Sequence, residues 1–212
     1  MKNILQKYII IICGFIIVGI GFAFTLKANV GVGAWDALSA SLNSLTKIEV
    51  GTLGIILNIA CVFGQIVILR KDFKWIQILQ IPLSVLLGIV INFVLYDILI
   101  FPFDSFIGGI IMYIVFTEVC VIGVALIMVL DEVTFALEGF CDALTRIIPF
   151  PFHVIRQFAD ILSFVVIVIL TISTNIPWSI GIGTIIGMII FGPSLGMFMK
   201  LFQKIFIKDI SI

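Results

Sequence analysis

Six apolar runs, each long enough to cross a bilayer as a helix, set the terms for this chain. They cover approximately Tyr8–Leu26, Thr52–Leu69, Trp75–Tyr96, Ile107–Leu130, Ile155–Ser173 and Ile180–Met199. A helical span takes about 20 mostly apolar residues, because the hydrocarbon core is about 30 Å thick. The short alternating segments of a membrane barrel are missing, so helices must satisfy the backbone polar groups internally. Only 11% of the 212 residues are charged, against about 25% in a soluble domain, so the bilayer is the expected partner. The first run exceeds a typical signal-peptide core and is followed by no clear small-x-small cleavage site. It reads as a retained first helix.

Lys and Arg set the orientation. With the N-terminus in the cytoplasm, the inner side collects Lys2, Lys7, Arg70, Lys71, Lys74, Arg146, Arg156, Lys200, Lys204 and Lys208, leaving only Lys27 and Lys47 outside. This positive-inside bias predicts that both termini are cytoplasmic. No basic face suits nucleic acid. Cys13, Cys61, Cys120 and Cys141 form no Cys-x-x-Cys pair, and His153 is the sole histidine. Neither a metal nor a cofactor is expected.

A short motif occurs twice: Gly33-Ala34-Trp35-Asp36-Ala37-Leu38-Ser39 and Gly139-Phe140-Cys141-Asp142-Ala143-Leu144-Thr145. Each copy follows a long apolar run within a semi-apolar connection, Ala28–Val50 and Asp131–Val154. In the first, Trp35, Leu38, Leu42 and Leu45 share one helical face, and Asp36, Ser39 and Asn43 another. Short amphipathic helices are expected at about 29–46 and 133–150, either re-entrant or lying on the surface. The fold expected is all-α and integral to the membrane, one domain spanning 1–212. Its six spans form two repeats, about 1–104 and 105–212. Three spans per repeat is odd, so the two must be inverted.

Taken together, the motifs are similar to those of the YczE/YyaS/YitT-type bacterial membrane proteins. The first-half signature is Ala28-Asn29-Val30-Gly31-Val32-Gly33-Ala34-Trp35-Asp36-Ala37-Leu38 with Gly51-Thr52. The second half offers Gly139-x-x-Asp142, Val154-Ile155-Arg156 with Asp160, Gly181-Ile182-Gly183-Thr184 and Gly192-Pro193. Ala34 stands where the family usually has proline, and Asp160 where glutamate is common. The resemblance covers nearly the whole chain and implies a polytopic protein of the bacterial plasma membrane. It supplies no ligand or reaction.

Charge inside a membrane is costly, so intramembrane ionisable groups are the candidate site. Asp36 and Asp142 suit either a polar cavity or helix N-caps, as Asp-x-x-Ser/Thr. Glu118, near the middle of the fourth run, is the candidate for proton coupling. Arg156 and Asp160, four apart, share a helix face as an ion pair or gate. Ser39, Asn43 and Thr145 flank the motifs, while Asn58 and Gln80, with Gln65, Gln77 and Asn92, suit interhelical ties. Glu138 is expected to be solvated, and the spacings Gly183/Gly187 and Gly192/Gly196 suggest helix packing. An enzyme is not expected, because no Ser/His or Cys/His set is available. The leading expectation is a transporter or permease for a small cationic or polar solute or an ion. The alternative is a non-transporting membrane scaffold or ligand-capturing subunit of a larger complex. Either reading is compatible with a homo-oligomer or a membrane-complex partner.

Overall fold

A computed structural model describes residues 4–101 and 104–206. Lys2 and Lys208, used in the charge count, lie outside the described residues. The described residues form an all-α protein with helices α1 (Ile4–Lys27), α2 (Ala34–Thr46), α3 (Val50–Leu69), α4 (Gln80–Asn92), α5 (Phe106–Leu130), α6 (Ala136–Leu144), α7 (Phe152–Thr174) and α8 (Ile182–Phe206). A 3₁₀ turn before α4 and a π turn after it extend that element to Trp75–Ile98. Six elements are long and apolar enough to cross a membrane, all but α2 and α6. This is a multi-pass membrane protein by helix length and composition. The last span runs past the expected Met199 to Phe206, because Lys200 and Lys204 continue the helix instead of closing it.

The order long, short, long, long occurs twice, in a constant register. Helices α2 and α6 start at Ala34 and Ala136, α3 and α7 at Val50 and Phe152, and α4 and α8 at Gln80 and Ile182, each pair 102 positions apart. Asn29 and Asp131, left-handed residues following α1 and α5, keep the same spacing.

Helices α1 and α5 pack antiparallel. Lys7, early in α1, pairs with Glu132 just past α5, while Phe24, late in α1, stacks on Phe116 with ring centroids 3.8 Å apart. The short helices cross between halves: α2 packs on α7 as well as α3, and α6 on α3 as well as α7. Gln65 of α3, fully buried, donates to Gln80 Oε1 of α4 at 2.8 Å and to the Ala136 carbonyl of α6 at 3.0 Å. Pairing these amides matters because an unsatisfied polar group in an apolar interior costs about 1–3 kcal/mol.

Two sequence motifs from opposite ends of the chain meet. Gly183 N–H donates to the Val30 carbonyl at 2.7 Å, and Thr184 Oγ1 to the Val32 carbonyl at 2.7 Å. Between them Gly31 adopts φ +93°, and a Cβ there would lie 2.2 Å from Gly181 N. Only glycine meets both demands, left-handed backbone and backbone-to-backbone contact. The Gly-x-Gly-Thr segment thus seats the start of α8 on the α1–α2 connection.

The second half is not a copy of the first in its packing. Helices α3 and α4 cross where Gly51 meets Gly88, and Gly51 N–H donates to Asn92 Oδ1 at 2.7 Å. At the positions 102 later stand His153 and Ile190. Without that small-residue crossing, α7 and α8 barely meet among the described residues, and α8 rests mainly on α5. Of the two glycine pairs on α8, Gly183 and Gly187 face close neighbours, but Gly192 and Gly196 face open space. The packing expectation therefore holds for the first pair only.

The N-cap expectation for the motif aspartates is corrected. Gly33 and Phe135 occupy the caps of α2 and α6, and neither cap makes a side-chain hydrogen bond. Asp36 is the third residue of α2, whereas Asp142 is the seventh of nine in α6. The motif copies therefore occupy different places. In the helix register the partner of Asp36 is Glu138, one turn before Asp142.

Candidate functional site

The charged residues gather where α2, α6 and α7 approach one another. Arg156, in the first turns of α7, lies with Nε 3.3 Å from Glu138 Oε1 and Nη1 2.5 Å from Asp160 Oδ1. The second approach falls outside the hydrogen-bond direction, so Nη1 is a buried donor without a hydrogen-bond partner. The ion pair with Asp160 follows from the four-residue spacing along one helix. The pair with Glu138 ties α6 to α7. The Glu138 side chain stays 34% exposed, in keeping with the solvation expected of it, while the first turn of α6 lies against α7 and brings it to the guanidinium.

Helix α2 packs on α7, and its Trp35 lies against the apolar cluster of Ala136, Leu137, Cys141 and Ile155, which sets Asp36 beside these charges. Asp36 has no hydrogen-bond or ion-pair partner among the described residues, yet it feels the charges of Arg156, Glu138 and Asp160. Its field also reaches Tyr113 and Cys120 on α5. Burial raises its pKa from 3.8 to about 7, against the opposing pull of Arg156, while Glu138 and Asp160 push it further up. Asp36 and Glu138 each sit third in a short helix, where the amides of the first turn favour a negative charge. Below them the Cys141 thiol, pushed up to about 11 chiefly by burial, stays protonated and inert at neutral pH. The arrangement can hold a proton or a small cation against a surplus of carboxylate, with one tethered guanidinium as competitor.

The other expected residues separate from this cluster. Asp142 is exposed on α6, with no side-chain partner among the described residues. Thr145 Oγ1 donates to the Asp142 carbonyl at 2.6 Å, closing the helix end. Glu118 of α5 accepts from Ser194 Oγ of α8 at 2.7 Å, a polar tie between the two helices. Ser39 is buried. Asn43 donates to the Ile48 carbonyl at 2.7 Å, joining α2 to its exit. Gln80 also donates to Gln77 Oε1 at 2.6 Å and Thr134 Oγ1 at 3.2 Å. Asn58 is half-buried on α3, in register with Asp160. Two surface hollows stand apart from the cluster. A cleft of about 660 Å³ is lined by residues including Lys27, Asn29, Asn43, Tyr96, Trp178 and Ser179. A groove of about 500 Å³ runs along α8 past Gly192, Gly196, Lys200 and Lys204.

A family model matches residues 5–200 and describes a family of unknown function, DUF6198. The chain belongs to that family. No curated protein and no solved structure matches it. Membership in DUF6198 therefore leaves the chemistry to be argued from the cluster itself. Glu138 is the site residue that motif reading missed. The signal was present: Glu138 lies 102 positions after Asp36, the spacing shared by the helix starts, whereas the motif copies lie 106 apart.

Proposed function

We propose that the protein is a small transporter or permease whose two halves form inverted repeats around the Arg156 cluster. One observation carries this reading: Asp36 of the first half and Glu138 of the second, equivalent in register, lie on short helices that both pack on α7, where Glu138 pairs with Arg156 and Asp36 feels its charge. Constant register, antiparallel packing of α1 on α5, and short helices that cross between halves support inversion. On this reading α2 and α6 are re-entrant segments that enter from opposite sides. The excess of carboxylates favours a proton, a small cation or an amine-bearing solute. The alternating states are those in which α2 or α6 opens toward its own face.

Kinship with the YczE/YyaS/YitT-type proteins, a place in the bacterial plasma membrane and cytoplasmic termini belong to the same proposal. A second reading has one observation in its favour. Gly192 and Gly196 leave a small-residue face of α8 open, as a membrane scaffold that docks another helix would.

Reconstitution into proteoliposomes separates the two. Proton-linked or cation flux that falls in Arg156→Met and Glu138→Gln, with folding intact, supports transport. No flux of protons, alkali cations or simple amines, together with stable co-purification in a larger membrane complex, would overturn it.

A further inference from the structure

We propose that Asp36 binds a proton while Arg156 is held by Glu138 and Asp160, and releases it when Arg156 leaves Glu138 to pair with Asp36. The step moves one proton between the Asp36 carboxyl and water: release breaks the carboxyl O–H bond and forms one on water, and no other covalent bond changes. It deepens the transport reading and rests on it for its purpose, although the binding step can be measured without transport.

Charge balance comes first. Three carboxylates face one guanidinium, and the two within ion-pair distance are Glu138 and Asp160. An unpaired carboxylate in an apolar interior takes a proton in preference to keeping its charge. Among the described residues, the groups around Asp36 leave it no other counter-charge. Helix α7 brings Arg156 and Asp160, α6 brings Glu138, and α5 brings Tyr113 and Cys120. Helix α3 carries no Asp, Glu, Lys or Arg, and its titratable Cys61 answers to Cys141 and Glu138 instead. Burial places the Asp36 proton near neutrality, at about 7, where modest changes in its surroundings fill or empty the site.

The switch follows from the register. Asp36 and Glu138 are the same position in two short helices, and both helices pack on α7, so each offers Arg156 a carboxylate. The register supplies no second cation, because the position 102 before Arg156 is Gly54. In the arrangement seen, Nη1 of Arg156 lies 2.5 Å from Asp160 Oδ1, whereas Nε lies 3.3 Å from Glu138 Oε1. Turning the guanidinium toward Asp36 therefore gives up the longer of the two contacts, while Asp160 on the same helix keeps Nη1 in reach. Proton release from Asp36 and loss of the Glu138 contact become one event.

Difference infrared spectroscopy on the purified full chain in lipid nanodiscs tests this. The expected result is a carboxylic-acid carbonyl band that fades as pH rises through about 7, is absent in Asp36→Asn and returns in Asp36→Glu. Glu138→Gln frees Arg156 to pair with Asp36, so the midpoint should fall by at least one pH unit, a tenfold change in proton affinity. Arg156→Met should raise it by a similar amount. A missing Asp36-dependent band, or a midpoint that Glu138→Gln leaves in place, would overturn the proposal. Flux is a separate readout. Silent proteoliposomes with the band intact refute transport and leave the proton site standing, whereas flux without the band refutes the site alone.

Discussion

Asp36 and Glu138 occupy one structural position twice, the third residue of a short helix, and both act on the guanidinium of Arg156. One of the two holds the arginine and the other has no partner. An asymmetric occupation of a repeated position is what a two-state element needs: an alternative arrangement of nearly the same chemistry, close at hand.

The first prediction concerns the arginine. Removing one member of a partly buried charge network leaves the others uncompensated, which costs more than the pair itself is worth. Arg156→Met should lower thermal stability in detergent by about 1.5–3 kcal/mol, the range for hydrogen bonds to charged groups. The double variant Arg156→Met, Glu138→Gln should recover part of that loss. A double variant as unstable as the sum of the single changes would show that the two residues do not interact.

Asp160 should matter where Asp104 does not. Asp160 sits 2.5 Å from Arg156, while Asp104 is exposed outside the helices. Asp160→Ala is expected to reduce expression and folded yield, and Asp104→Ala to leave both within error. Size-exclusion profiles of the two variants check this directly, and equal behaviour would count against a structural ion pair.

Acid should stabilise the folded chain through Asp36. Its folded pKa is raised from 3.8 to about 7, so the folded state binds the proton more tightly than the unfolded chain. That contribution is complete below 3.8 and is lost as pH rises to about 7. Melting temperatures measured across this window should show the native protein losing ground to Asp36→Asn, with the asparagine variant the more stable above it. A pH-independent difference between the two would place Asp36 in a solvated setting.

Much of the fold was legible because the bilayer demands it. Runs of apolar residues gave the six spans, since no other element buries its backbone in lipid. Gly31 and the Gly181–Thr184 segment stood out as motifs, and their structural reason is the backbone contact they make with each other. The site was harder to read. The motif Gly-x-x-Asp-Ala-Leu-Ser/Thr aligned Asp36 with Asp142, four residues beyond Glu138; the two share a face of α6, but one turn along the axis carries Asp142 away from Arg156 to the exposed end of the helix. Sequence spacing showed the ion pair within α7 because both partners share a helix. It could not show the Glu138 contact, which depends on how the first turn of α6 lies against α7. The separation of α7 from α8 was equally hidden, since it turns on His153 and Ile190 standing where the first half has Gly51 and Gly88.

Those glycines supply the last prediction, which compares two pairs in one protein. A Cβ on Gly51 would lie 2.2 Å from the Gly88 carbonyl oxygen, and one on Gly88 would lie 2.6 Å from the Gly51 carbonyl oxygen. Neither backbone can yield without opening the α3–α4 crossing, so Gly51→Ala and Gly88→Ala should each destabilise by about 1–3 kcal/mol, as overpacking does. Gly192 and Gly196 have nothing within 4 Å of the added carbon. There alanine meets no clash and improves helix propensity, a gain of up to about 1 kcal/mol per site. Thermal denaturation of the four variants in one detergent therefore orders them by sign as well as size. If Gly192→Ala and Gly196→Ala prove as damaging as the first pair, then that face of α8 is packed against a partner. A second copy of the chain would then reveal itself as a loss of dimer in cross-linking, and the small-residue face would belong to an interface.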